Sequence, residues 1–211
     1  MHDLVIFDCD GVLVDSEPLS NQVLVKNLSR HGLDLTIEDS LALFLGGTMA
    51  GVHVKARELG ADLPDDWVDQ VYAEIYDGLR GGVSLMPGIP DLLETLDENG
   101  IPFCVASNGS PDKMKITLGQ NGMWERFSEV MFSAHVLGTA KPDPEMFQTA
   151  AERFGASNPV VIEDSASGVT AAKRADMRCL AYVPSGDGER LAELGAEVFV
   201  DMTDVPTLLG I

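Results

Sequence analysis

The chain has 211 residues, enough to bury a sizeable core, and its composition is that of an ordinary globular protein. Its 14 Lys and Arg stand against 34 Asp and Glu, a net charge of −20, which argues against a sequence-independent grip on nucleic acid or an anionic membrane. No run of about 18 apolar residues offers a membrane span.

A polar dipeptide after Met1 leads straight into apolar residues, so no signal peptide is expected and the protein reads as cytoplasmic. Cys9, Cys104 and Cys179 are odd in number, far apart and set in apolar stretches, which suits buried thiols in a reducing compartment.

The first apolar run, Leu4–Phe7, reads as a buried strand and ends on Asp8 and Asp10. Residues two apart in an extended segment face the same way, so both carboxylates reach one point. Two like charges so close require a cation between them or a shared proton, so the pair itself predicts a divalent metal or proton-transfer chemistry.

From Asp15 to Val83 only helical patterns follow. This block, residues 15–83, is expected to be an inserted helical cap, with hinges at Asp15–Ser16 and Gly81–Met86 and an α/β core formed by residues 1–14 and 84–211. Trp67, Tyr72 and Tyr76 follow a helical stripe and are expected in the cap core. The LFLGGT segment, with Gly46, Gly47 and Thr48, is either a loop that touches substrate or a helix C-terminus ending at Gly46. Lys26, Lys55, Arg57 and Arg80 are expected mostly on solvated helix faces, and His2, His31, His53 and His135 show no metal-ligand spacing.

Beyond the insert, Ile89, Leu92, Leu93 and Leu96 share one helical face, and Gly100 ends that helix. Short apolar runs then recur at 101–107, 129–133, 159–163, 178–183 and 197–200 with helix-like stretches between them. Continuous rather than alternating apolar character is what strands buried on both faces show. The expected fold is therefore a doubly wound parallel α/β sheet, Rossmann-like, with the helical cap inserted after its first strand.

Ligands of such sheets bind beyond the carboxyl ends of the strands, and three further strand ends carry polar chemistry. Ser107 and the amides of Asn108 and Gly109, just ahead of Ser110 and Pro111, an N-cap and first-turn signature, are expected to form a neutral cradle for phosphate oxygens, with ordinary turn chemistry the plainer alternative. Lys141 lies just ahead of a helix expected to start at Asp143 and Pro144, where it can screen the acids and hold a phosphoryl oxygen. Glu163 and Asp164 end another buried strand; with Asp8 and Asp10 they offer the oxygen donors that Mg²⁺ takes. Asp164 or Ser165 acting only as a helix cap is the plainer alternative.

Together DCDGV, ASNG, KPDPEMF and IEDSASG resemble, in order, the four motifs of the haloacid dehalogenase-like superfamily of phosphotransferases, over nearly the whole chain. The resemblance implies that Asp8 is a nucleophile forming an aspartyl-phosphate and that Asp10 is the general acid and base. It also implies that Ser107 and Lys141 hold the phosphoryl group, and that Asp8, the backbone carbonyl of Asp10, Glu163 and Asp164 hold Mg²⁺. The dehalogenase and phosphonate-cleaving branches lack the second aspartate, so Asp10 speaks for phosphate esters. The insert, opening on DSEPL, resembles the small cap of the β-phosphoglucomutase-like and phosphoglycolate phosphatase-like branch, and Glu17, Ser20, Gly47 and Thr48 are its candidates for substrate contact.

Mutases of that branch carry a His and an Arg where this chain has Ser20 and Met49. The expected function is thus a Mg²⁺-dependent phosphatase of a small phosphorylated metabolite, a sugar phosphate or phosphorylated acid, acting as a monomer. A sugar phosphate mutase is the same-fold alternative, and a catalytically silent binding module the distant one.

Overall fold

The structure, a computed structural model, describes residues 2–44, 48–186 and 188–211. The chain divides into two compact units, residues 1–15 with 84–211 and residues 16–83. Asp15 thus groups with the first unit, one residue later than the sequence suggests.

The first unit is built on six parallel strands, β1 (Leu4–Phe7), β2 (Phe103–Ser107), β3 (Met131–Ser133), β4 (Pro159–Glu163), β5 (Arg178–Tyr182) and β6 (Glu197–Phe199), in the order β3-β2-β1-β4-β5-β6. All four residues of β1 are fully buried, because alternate side chains enter different cores. Val5 and Phe7 join Val105, Val160, Ile162 and Leu180 on one face, while Leu4 and Ile6 join Cys104, Ala106, Val161 and Ala181 on the other. Each Val, Leu, Ile or Phe side chain among them contributes roughly 1.5–3 kcal/mol when fully buried. Two-sided burial is why the strands read as unbroken apolar runs.

After β1 the sheet grows on one side through β2 and β3, and the chain then returns to place β4 on the other side of β1. That reversal opens a crevice over the carboxyl end of β1, the usual place for a ligand in this architecture. Asp8 directly follows that end, and its amide donates to Ile162 O of β4 at 2.9 Å.

The chain leaves and re-enters this unit along a stitched ribbon. Val14 and Leu85 form an antiparallel bridge, Asp15 N donates to Ser84 O at 2.9 Å, and Met86 N donates to Leu13 O at 3.0 Å.

The second unit holds helices Glu17–Arg30, Ile37–Phe44, Met49–Glu58 and Trp67–Arg80. Trp67, Val71, Ile75 and Leu79, spaced by four, form the buried stripe of the last helix, and Tyr72 and Tyr76 flank it half-buried. The tyrosines are therefore at the edge of this core rather than in it, since they fall one position off the i, i+4 row. Buried Asn27 ties two helices together: it accepts from Trp67 Nε1 at 2.6 Å and donates to Glu74 Oε1 at 3.1 Å. No described helix is long and apolar enough to cross a membrane.

Candidate active site

Four strand-end segments meet at the crevice. Lys141 Nζ lies 2.5 Å from Asp8 Oδ1 and 2.6 Å from Glu163 Oε1, with the lysine and both acids buried. The loop carrying Lys141 is held from β2: Asn108 Oδ1 accepts from the Lys141 amide at 2.9 Å, and Asn108 Nδ2 donates to the Lys141 carbonyl at 3.4 Å. The backbone amide of Asn108 is the group expected to face phosphate; its side chain positions the lysine backbone. The helix after this loop begins at Glu145, slightly later than expected, and Asp143 Oδ1 accepts from its first amide at 3.0 Å.

Ser107 is buried, and its Oγ accepts from Gly109 N at 2.9 Å. That bond occupies the Gly109 amide expected in the cradle and uses Ser107 Oγ only as an acceptor, so it does not consume the hydroxyl proton. Ser133 Oγ donates to Gly109 O at 2.7 Å and fixes the same turn from β3. Ser110 caps the helix Pro111–Gly119 by accepting from Lys113 N at 3.1 Å.

Glu163 Oε2 accepts from Asp164 N at 2.9 Å, Ser165 N at 2.8 Å and Ser165 Oγ at 2.9 Å, so with Oε1 on Lys141 both of its oxygens are engaged. Ser165, not Asp164, caps the helix Ala166–Arg174. The Asp164 carboxylate lies against the turn after β1. A Cβ built on Gly11, whose φ is +77°, would stand 2.0 Å from Asp164 Oδ2, so only glycine allows this approach.

Sequence reading missed one cation of the site. Lys113 Nζ lies 2.7 Å from Asp10 Oδ1, with side-chain exposures of 18% and 22%. A lysine at the third position of a helix resembles a solvated charge in the sequence; the signal available was that Ser110 and Pro111 fix where that helix starts.

Burial drives Asp8 up to about 7, with Glu163 and Asp10 adding to the rise and Lys141 opposing it. Burial pulls Lys141 down, but Asp8 and Glu163 outweigh it and keep the ammonium charged. Lys113 follows the same pattern through Asp10. Cys9 is buried, and its thiol is pushed well up by burial and then by Asp10 and Asp8, which leaves it unreactive.

Asp8, Asp10, Glu163 and Asp164 with Lys113 and Lys141 amount to four carboxylates against two ammonium groups. With all four ionised the excess is two negative charges, and the oxygen donors of Asp8, Asp10 and Asp164 suit a hard divalent ion. Among the described residues no three acidic side chains form a ready-made cage. Mg²⁺ does not ask for one, since it commonly binds through one or two carboxylates, water and a substrate phosphate.

The remaining predicted contacts belong to the second unit. Glu17 opens its first helix; Ser20 Oγ donates to Ser16 O at 2.8 Å; Thr48 caps its third helix by accepting from Gly51 N at 3.1 Å. Gly46 and Gly47 lie outside the described residues.

A family model for haloacid dehalogenase-like hydrolases matches residues 2–176. The chain belongs to that family. It is 32% identical over 206 residues to the chloroplastic protein Suppressor of Quenching 1 of Arabidopsis thaliana, with 93% of this chain but only 19% of that protein covered. With the validoxylamine A 7'-phosphate phosphatase of Streptomyces hygroscopicus subsp. limoneus it shares 30% identity over 216 residues, covering 97% of this chain and 96% of the relative. A haloacid dehalogenase family hydrolase from Deinococcus radiodurans, solved with bound phosphate and sodium, superposes with a TM-score of 0.82 at 29% identity, covering 99% of this chain and 95% of that one. The Rossmann-like haloacid dehalogenase fold and the family membership expected from the sequence are thereby established.

Proposed function

We propose that this protein is a Mg²⁺-dependent phosphatase that hydrolyses a small phosphorylated metabolite, a sugar phosphate or phosphorylated acid, through an aspartyl-phosphate. The observation that carries this reading is the division of labour between the paired aspartates. Asp8 is buried and gripped by Lys141, whereas Asp10, two residues on, is half-buried and meets Lys113. Full-length similarity to a phosphatase of a phosphorylated metabolite supports it.

In this reading Asp8 Oδ attacks phosphorus in line, a P–O bond to Asp8 forms, and the ester P–O bond breaks. Asp10 gives its proton to the departing alcohol. Asp10 then takes a proton from the water that attacks the aspartyl-phosphate, which releases inorganic phosphate and regenerates Asp8. Ser107, its oxygen already accepting from Gly109, donates its hydroxyl to an equatorial oxygen, and Lys141 supplies positive charge to another.

Asp8, the backbone carbonyl of Asp10 and Asp164 would hold Mg²⁺, which neutralises charge between carboxylate and phosphate when bound. Glu163, expected as a further ligand, is better read as the anchor of Lys141, because both its oxygens are already engaged. The second unit is read as the cap that closes over the non-reacting end of the substrate.

The Asp8→Asn variant is expected to lose at least about a thousandfold in hydrolysis of an aryl phosphate with Mg²⁺, since the nucleophile is gone. Equal rates for the variant and the wild type would refute the reading. Incubation with a sugar 1-phosphate should release free phosphate; accumulation of 6-phosphate would instead identify a mutase. Ser20, where mutases carry His, bonds the backbone of its own helix, and Met49 starts a helix without supplying a cation.

A further inference from the structure

We propose that Lys113 is a positioning residue for proton transfer, orienting the Asp10 carboxylate toward the leaving group and later toward water. This rests on the phosphatase reading and deepens it.

Lys113 occupies the third position of the helix Pro111–Gly119, where a cation opposes the helix dipole. It is also largely buried, which is unfavourable for an ammonium group without a partner. Both penalties are met by one contact, the 2.7 Å ion pair with Asp10. The backbone that aims Lys113 is itself fixed, because its amide donates to the Ser110 cap.

Gly109 lets the pair pack beside the phosphate-holding serine. A Cβ there would lie 3.2 Å from Ser107 Oγ, 3.5 Å from Asp10 Oδ2 and 3.6 Å from Lys113 Cδ. An aspartate side chain turns about two torsions, and an acid that acts twice in one cycle must hold its orientation through both steps. The ammonium at Oδ1 supplies that restraint from a helix rather than from the mobile substrate.

The test uses the full chain with Mg²⁺, p-nitrophenyl phosphate, whose leaving group needs no proton, and glycerol phosphate, whose leaving group does. For Lys113→Met we expect kcat on glycerol phosphate to fall about 10- to 100-fold with KM within about twofold. The pre-steady-state release of p-nitrophenol should change by less than about threefold. In an Asp10→Asn background, Lys113→Met should cause no further loss. Lys113→Arg, which restores the cation, should recover much of the activity and serves if Lys113→Met folds poorly. Equal losses on both esters, or losses that multiply in the double variant, would overturn the proposal. If Asp8→Asn stays active, the phosphatase reading has failed; if Asp8→Asn is dead and Lys113→Met matches wild type, only this inference has.

Discussion

Lys141 and Lys113 each meet one member of the Asp8/Asp10 pair, but in different surroundings. The Lys141 side chain is 2% exposed and lies between two carboxylates, whereas Lys113 is 18% exposed and, among the described residues, makes one ion pair. On the phosphatase reading this matches the two tasks. A nucleophile is best held rigid and dry, while an acid and base must exchange its proton with water once per cycle and needs a path to solvent.

Replacing each lysine should expose that difference most strongly. Lys141→Met leaves buried Asp8 and Glu163 without their shared ammonium, a loss of about 3–5 kcal/mol in stability, whereas Lys113→Met should cost about 1 kcal/mol. Urea unfolding of the two metal-free variants checks the ranking, and equal losses would erase the contrast.

Acidity offers the next handle. The folded chain raises Asp8 from 3.8 to about 7, so between these values the folded state binds more protons than the unfolded one. Metal-free stability should therefore fall as pH rises through roughly 4 to 7, by at most about 4 kcal/mol, and level off on either side. Asp8→Asn should flatten this slope, which thermal unfolding across that window would reveal.

A smaller effect is expected at Gly168. A Cβ there would stand 1.8 Å from Glu163 Oε1, so Gly168→Ala must push the anchoring carboxylate off Lys141. The expected cost is about 1–3 kcal/mol, read from the unfolding midpoint.

Strand positions were legible because two-sided burial imposes a plain pattern, and every expected apolar run contains its strand. The acids at the ends of β1 and β4 were legible for the same reason: charge directly after such a run has to be accounted for. What stayed hidden were pairings across the chain. Asn108 reaches the backbone of Lys141, 33 residues away, and nothing in the ASNG turn signals that its side chain is committed there. The engagement of Glu163 likewise depends on where Lys141 arrives. Lys113 was hidden because helix-start lysines are usually solvated, and only the neighbouring turn shows which acid it faces.

The ribbon joining Leu13–Asp15 to Ser84–Met86 has a practical meaning. Its two arms run side by side, so the chain leaves the first unit and re-enters it at one place. On the phosphatase reading, with residues 16–83 as the cap, exchanging that segment for a relative's at Asp15 and Ser84 should carry the relative's substrate preference with it.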